Sequence, residues 1–229
     1  MFLFKNRVFF QGCVIRAAYP QAGKRWVNIL RRAGINTIIL PEERCCGSPL
    51  KNAGATNEFE NNASKLCELL DKYHVGEVIT ACPACAHTLS HYLRIPVRHV
   101  TQVIADKLDK KIQKPMNMAV SFHDPCHLAR YLDVVAEPRR ILEACGCKVL
   151  EPEPRGRFTY CCGGGGGLPA NHPDVAGKIT RERVRQLAST GAEAVVTSCP
   201  MCVHQLQKYS KVPVVDLSEI VAGALGVEK

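Results

Sequence analysis

Ile79-Thr-Ala-Cys-Pro-Ala-Cys-Ala-His87 recurs 117 residues later as Val196-Thr-Ser-Cys-Pro-Met-Cys-Val-His204. In each copy a short apolar run leads directly into Cys-Pro-x-Cys. That is the pattern of a buried strand ending where a helix begins. Ile95-Pro-Val97 and Val212-Pro-Val214 follow at the same offset. Upstream, Cys45-Cys46 corresponds to Cys161-Cys162 at an offset of 116, and Cys13 to Cys126 at an offset of 113. Ten of the 13 cysteines therefore belong to one five-cysteine pattern written twice. A period above about 100 residues is a duplicated domain, longer than any solenoid repeat. The boundary is expected in the polar stretch Asp109-Lys-Lys-Ile-Gln-Lys-Pro115, giving domains over 1–112 and 113–229.

Each half reads as alternating β and α. The pattern predicts strands at Val8-Phe-Phe10, Thr37-Ile-Ile-Leu40 and Glu77-Val-Ile-Thr80, with helices over Gln21 to Ala33 and Asn57 to Tyr73. The second half repeats this with strands at Ala119-Val-Ser-Phe122, Lys148-Val-Leu150 and Ala194-Val-Val-Thr197, and helices over Pro138 to Ala144 and Pro173 to Leu187. Short apolar strands alternating with helices imply parallel sheets with helical crossovers. The fold class is thus α/β, two duplicated Rossmann-like βα units. Functional loops in such sheets lie beyond the carboxyl ends of the strands, and all the cysteine segments fall there.

Hydrophobic residues make up 46% of 229 residues, enough for a real core. No apolar run approaches the roughly 18–20 residues that span a bilayer, and the first residues do not read as a signal peptide. The expectation is a cytoplasmic protein in a reducing compartment. There, cysteine clusters mean metal or redox chemistry rather than structural disulfides. The formal net charge of +9 raises the question of nucleic acid. No aromatic-basic interleaving or helix-turn-helix signal supports it, whereas an acidic protein partner or an anionic small substrate fits.

The thiolate count narrows the metal. Tetrahedral zinc and a cubane [4Fe–4S] cluster each take four ligands, while each half offers five cysteines. A larger or open cluster accounts for the fifth thiolate and for the adjacent pairs. A cubane with a spare thiolate, and zinc with a spare thiol, are the alternatives in that order. Gly47 after the first pair, and Gly163 and Gly164 after the second, let the backbone approach a cluster and donate N–H groups.

Phe10-Gln-Gly-Cys-Val-Ile15, Cys45-Cys-Gly-Ser-Pro49, Phe122-His-Asp-Pro-Cys-His-Leu-Ala-Arg130 and Tyr160-Cys-Cys-Gly-Gly-Gly-Gly-Gly167 together resemble the CCG (cysteine-rich) domain family. That family includes the catalytic iron–sulfur subunit of heterodisulfide reductase. The resemblance implies two non-cubane [4Fe–4S] clusters, with zinc in one repeat of some relatives. One would be held by Cys13, Cys45, Cys46, Cys82 and Cys85, the other by Cys126, Cys161, Cys162, Cys199 and Cys202. It further implies an oxidoreductase subunit that reduces or forms a disulfide or related sulfur substrate between the clusters. Its partners would be ferredoxin-like iron–sulfur and flavin subunits of a redox complex. The alternative is a non-catalytic electron-transfer subunit linking a flavoprotein to another redox partner. Only 40 residues separate Cys85 from Cys126, so a substrate-specific insertion is expected to be missing.

Among the other residues, His127 is the candidate proton donor and Arg130 the candidate anion-binding group beside Cys126. Arg16 follows Cys13, the first cysteine of the other repeat, and could serve the same purpose. His123 and Asp124 are expected to fix the cysteine loop by hydrogen bonds. His87 and His204, equivalent after each Cys-Pro-x-Cys, suggest a structural role. Cys67 is expected in the core, and Cys145 and Cys147 outside any ligand set.

Overall fold

The structure is a computed structural model, and it describes residues 5–227. Two parallel sheets form, one from each half. The first has the order β1-β2-β3, with β1 Asn6–Phe10, β2 Val75–Thr80 and β3 Val97–His99. The second has the order β5-β4-β6-β7, with β4 Ala119–His123, β5 Lys148–Leu150, β6 Ala194–Thr197 and β7 Val214–Asp216. The registers repeat as the sequence does. Phe10 of β1 pairs with Thr80 of β2, and His123 of β4 pairs with Thr197 of β6.

One predicted strand shrinks. Residues 37–40 make a single parallel bridge, Ile38 beside Val8, held by Phe9 N–H to Ile38 O and Ile38 N–H to Arg7 O, both 2.9 Å. A turn at Pro41 and Glu42 then takes the chain off the sheet. The second half keeps this strand as β5, so the two sheets share one plan with a frayed edge in the first.

Alternation along the strands sorts the core into three parts. Phe9, Ile79, Val120, Phe122 and Val196 point into a core that both halves share. Its other wall is helical: Trp26, Ile29 and Leu30 from helix Pro20–Arg32 meet Leu217, Ile220 and Val221 from helix Leu217–Leu225. The opposite faces carry separate clusters. Val8, Phe10 and Val78 pack under Leu66 and Leu70 of helix Thr56–Lys72. Val195 packs with Leu187 of helix Pro173–Ala188 and Leu206 of helix Pro200–Leu206. Cys46, Cys82 and Cys85 belong to the first outer cluster, and Cys162, Cys199 and Cys202 to the second. Cys145 and Cys147 are buried in the shared core. Cys67, expected in the core, is only half-buried, because it lies one residue off the Leu66–Leu70 stripe of its helix. Among the described residues no helix is long and apolar enough to cross a membrane.

Candidate metal centre

Strand ends carry the cysteines to one seam. β2 and β6 run out through Ala81 and Ser198 into Cys82 and Cys199, which cap helices Pro83–Tyr92 and Pro200–Leu206. Proline at the first helical position presets the turn. Cys85 and Cys202 then lie in the first turn, where free N–H groups and the helix dipole favour a thiolate. Cys13 opens helix Cys13–Ala18 beyond β1. Cys126 precedes a π-helical turn, His127–Tyr131, beyond β4.

The ten cysteines line up as one continuous series of neighbouring thiols. In order it runs Cys13, Cys45, Cys46, Cys85, Cys82, then across the seam to Cys199, Cys202, Cys162, Cys161 and Cys126. Cys13 and Cys45 Sγ lie 4.0 Å apart, and Cys162 and Cys202 Sγ 3.3 Å apart. The order is palindromic, so the two halves meet here about a pseudo-two-fold axis.

Their ionisation follows from these contacts. Cys45 is held far below an ordinary thiol by hydrogen bonds from Cys13 and then Cys46. Cys161 is held down in the same way by Cys126 and Cys162. Cys13 and Cys126 move upward, chiefly because they donate to those thiolates, and burial adds to it. Each half thus concentrates negative charge that its neighbours oppose. Only a bound cationic centre would let all five thiols ionise together.

Glycines complete the thiolate loops. Gly47 N–H lies 3.5 Å from Cys45 Sγ, Gly163 N–H 3.4 Å from Cys161 Sγ, and Gly164 N–H 3.4 Å from Cys162 Sγ. The sequence led us to expect these N–H groups to reach a cluster; here they serve the cysteine sulfurs themselves. Gly47 and Gly163 both adopt left-handed φ, +87° and +81°. A Cβ on Gly163 would sit 2.9 Å from the Ala176 carbonyl oxygen.

The surroundings of the two sets differ. Near the first, Glu43 has a buried carboxylate that accepts from Gln11 N–H at 2.9 Å and Gly12 N–H at 2.8 Å. Arg16 faces this carboxylate at 3.7 Å, and burial raises the Glu43 pKa. Near the second, Asp124 accepts two bonds from Arg139, at 2.8 and 2.9 Å, and one from Gly156 N–H at 2.7 Å. His123 Nδ1 lies 3.1 Å from Arg183 Nε, and a ring nitrogen of His123 is within 4.8 Å of both Cys162 and Cys202 Sγ. Glu43 and Arg183 escaped the sequence reading. A signal for Arg183 existed: it continues the stripe Ala176, Thr180, Leu187 on the buried side of its helix.

A cavity of about 530 Å³ opens between the halves. Cys13, Cys46, Cys82 and Cys85 line one side, with His127; Gly164 to Gly167, His204 and Lys208 line the other. His127 Nδ1 is 3.5 Å from Cys126 Sγ, and burial lowers the His127 pKa. Arg130 is turned elsewhere: it donates to the carbonyls of Arg157 and Thr159 and does not line the cavity. His87 and His204 each meet a tyrosine from the opposite half. His87 stacks on Tyr131 with ring centres 4.7 Å apart, and His204 Nδ1 lies 3.3 Å from the Tyr19 hydroxyl.

Comparison with known proteins places these features in a family. The profile described as a cysteine-rich domain, CCG, matches twice, over residues 7–90 and 120–207. The chain is 34% identical to a subunit of the dihydromethanophenazine:CoB–CoM heterodisulfide reductase of Methanosarcina barkeri, covering 96% of this chain and 59% of that protein. It is 32% identical to a subunit of the fumarate reductase (CoM/CoB) of Methanothermobacter marburgensis, covering 85% and 40%. The chain therefore spans about half the length of these relatives. A solved structure of a Helicobacter pylori protein described as hypothetical shares the fold with a TM-score of 0.69 at 12% identity, over 99% of this chain and 50% of that one.

Proposed function

Because this chain belongs to the CCG cysteine-rich domain family, we propose that it is an iron–sulfur oxidoreductase subunit of the heterodisulfide-reductase type. On this reading each five-cysteine set holds one [4Fe–4S] centre of the non-cubane kind. The substrate is a small anionic disulfide or related sulfur compound, bound in the cavity between the halves. The observation that carries the reading is the palindromic order of ten cysteines across the seam, with a cavity between the halves that opens along its first-set arm from Cys13 to Cys82. Five buried thiolates per set suit a multi-iron centre better than four-coordinate zinc.

The centres, when bound, supply single electrons to the two sulfurs of a disulfide. The chain's own residues do the rest. Lys208 and the side-chain-free backbone of Gly164 to Gly167 line the cavity, and the Lys208 ammonium suits an anionic group. His127 borders both the cavity and Cys126, so it is the group placed to give a proton to a departing thiolate. Arg130 positions the loop 157–159 behind Cys161 instead of meeting substrate. Electrons come from ferredoxin-like or flavin-bearing partner subunits.

A second reading, an electron-transfer subunit that passes charge between redox partners, is favoured by one observation. Cavity-lining cysteines come from the first set alone among the described residues. The test is chemical analysis of anaerobically prepared protein together with a disulfide-reduction assay. About eight irons per chain, from two four-iron centres, and reduction of a small anionic disulfide support the leading reading. About eight irons without that reaction support the relay. Four irons with one zinc overturn the two-centre assignment.

A further inference from the structure

The duplication has changed one pair of residues in kind. Phe10 closes β1 and His123 closes β4, and each pairs with a threonine, Thr80 or Thr197. On the covering helices, Leu66 and Arg183 stand 117 residues apart, the offset of the Cys-Pro-x-Cys copies, and both side chains are fully buried. Where the first half packs Phe10 under Leu66, the second half puts His123 beside Arg183.

A guanidinium has only donors. The 3.1 Å contact is therefore Arg183 Nε–H donating to His123 Nδ1, and that nitrogen bears no proton. The ring's proton sits on Nε2. His123 Nε2 is buried and has no partner among the described residues, while the ring lies beside Cys162 and Cys202. A histidine that ligates a metal through Nε2 normally donates from Nδ1 to an oxygen. Here the polarity is reversed, so His123 is built as a donor to sulfur, not as a ligand.

Arg183 strengthens the asymmetry. It is anchored by Pro154 O at 2.8 Å and Gln186 Oε1 at 3.0 Å, and among the described residues no carboxylate meets it and its remaining nitrogen is buried without a partner. A buried cation without an anionic partner is costly unless negative charge lies near. The Asp124 carboxylate supplies part of that charge, and the thiolates of Cys202 and Cys162 in the second set supply more. Around the first set the buried group is the opposite one, the Glu43 carboxylate, and Thr159 stands at its matching place in the second half.

We propose that His123, oriented by Arg183, donates its Nε2–H to sulfur of the second centre and makes that centre the more easily reduced of the two. Each centre takes up one electron, and no bond is made or broken. Hydrogen bonds to cluster sulfur and nearby positive charge stabilise the added electron, while Glu43 opposes it at the first centre. The proposal rests on the reading that both sets hold iron–sulfur centres.

The test is an EPR-monitored redox titration of the anaerobic, iron-loaded protein. Two separate waves are expected. His123→Phe, which restores the residue type of the first half, should lower the higher wave by at least a tenfold change in its reduction equilibrium, about 59 mV for one electron. The lower wave and the iron count should not move. His123→Gln, which keeps an N–H donor, should recover part of the shift. Equal shifts in both waves, no shift, or loss of iron in both variants would overturn the donor assignment. Zinc in the second set of the wild-type protein would instead defeat the two-centre reading, with no second wave. Nitrogen NMR of that diamagnetic form then decides His123 by itself. An Nε2–H tautomer supports the donor role, and metal-bound Nε2 overturns it.

Discussion

Cys82 and Cys199, 117 residues apart in sequence, adjoin each other across the seam of the two halves. They are the middle link of the ten-cysteine chain, and Cys13 and Cys126 are its ends. A ligand at the middle borders both sets, whereas a ligand at an end borders one. Cys82→Ser should therefore disturb the spectra of both centres. Cys13→Ser should disturb only the first. Mössbauer spectra of the two variants read this difference directly, and equal effects would contradict the shared link.

Cys45→Ser and Cys161→Ser remove equivalent thiols that their cysteine neighbours hold far below the ordinary range. Each is expected to cost about one centre, about four of about eight irons, together with stability, because metal binding is also folding energy. Iron analysis and thermal denaturation under anaerobic conditions check both. Full iron content in either variant would remove that cysteine from the ligand set.

Asp124→Ala tests the anchor of the second cysteine loop. The carboxylate is buried and takes two bonds from Arg139 and one from Gly156 N–H. Removing it leaves the Arg139 guanidinium, largely buried, with only Glu151 as anionic partner. The expected loss is about 3 kcal/mol, the lower end for breaking a buried ion pair from one side. Denaturant unfolding measures it, and a loss below about 1 kcal/mol would show the loop to be held by other contacts.

Gly163→Ala and Gly165→Ala separate conformation from mere glycine content. Gly163 has φ +81° and no room for a Cβ, while nothing lies within 4 Å of a Cβ on Gly165. Alanine at 163 should cost at least about 1–2 kcal/mol from the left-handed backbone alone. Alanine at 165 should be close to neutral. Melting temperatures of the pair are the measurement.

Two buried histidines predict acid sensitivity. Burial lowers the pKa of His99 from 6.5 to about 4 and that of His123 to about 3. Between pH 6.5 and 5 the unfolded chain binds protons that the folded chain refuses, so stability falls as pH falls. Each histidine contributes about 1.4 kcal/mol per pH unit well below 6.5. His99→Gln should flatten the slope of stability against pH in that window. An unchanged slope would mean that His99 takes up a proton in the folded protein.

Much of the fold was legible because its signals are local. The strands leading into Cys82 and Cys199 are apolar runs, and the helices after them start at proline. The duplication gave the second half from the first. The weak strand at 37–40 was overdrawn, since apolar residues alone do not reveal that the chain turns away at Pro41. The convergence of the cysteines was legible from strand ends, but their linear order was not. It depends on how the halves dock, and docking is written in no single segment. Arg130 looked free to bind anions, yet the nearby carbonyls of Arg157 and Thr159 hold it. Arg183 and Glu43 are charges buried by tertiary structure, and local composition does not announce them.

The core that both halves share sets a schedule for the protein's birth. Trp26, Ile29 and Leu30 are covered by residues of the helix Leu217–Leu225. At a synthesis rate of about 5–20 residues per second, that cover leaves the ribosome roughly ten to forty seconds after the helix it hides. For that interval the nascent chain shows an oily face with nothing to lay on it, so a chaperone that shields it would be guarding an unfinished wall. The proposed cluster ligands wait as well, because Cys199 and Cys202 are made long after Cys82 and Cys85. On the proposed ligand sets, insertion of the second cluster and closure of the shared core fall at the same late moment in translation.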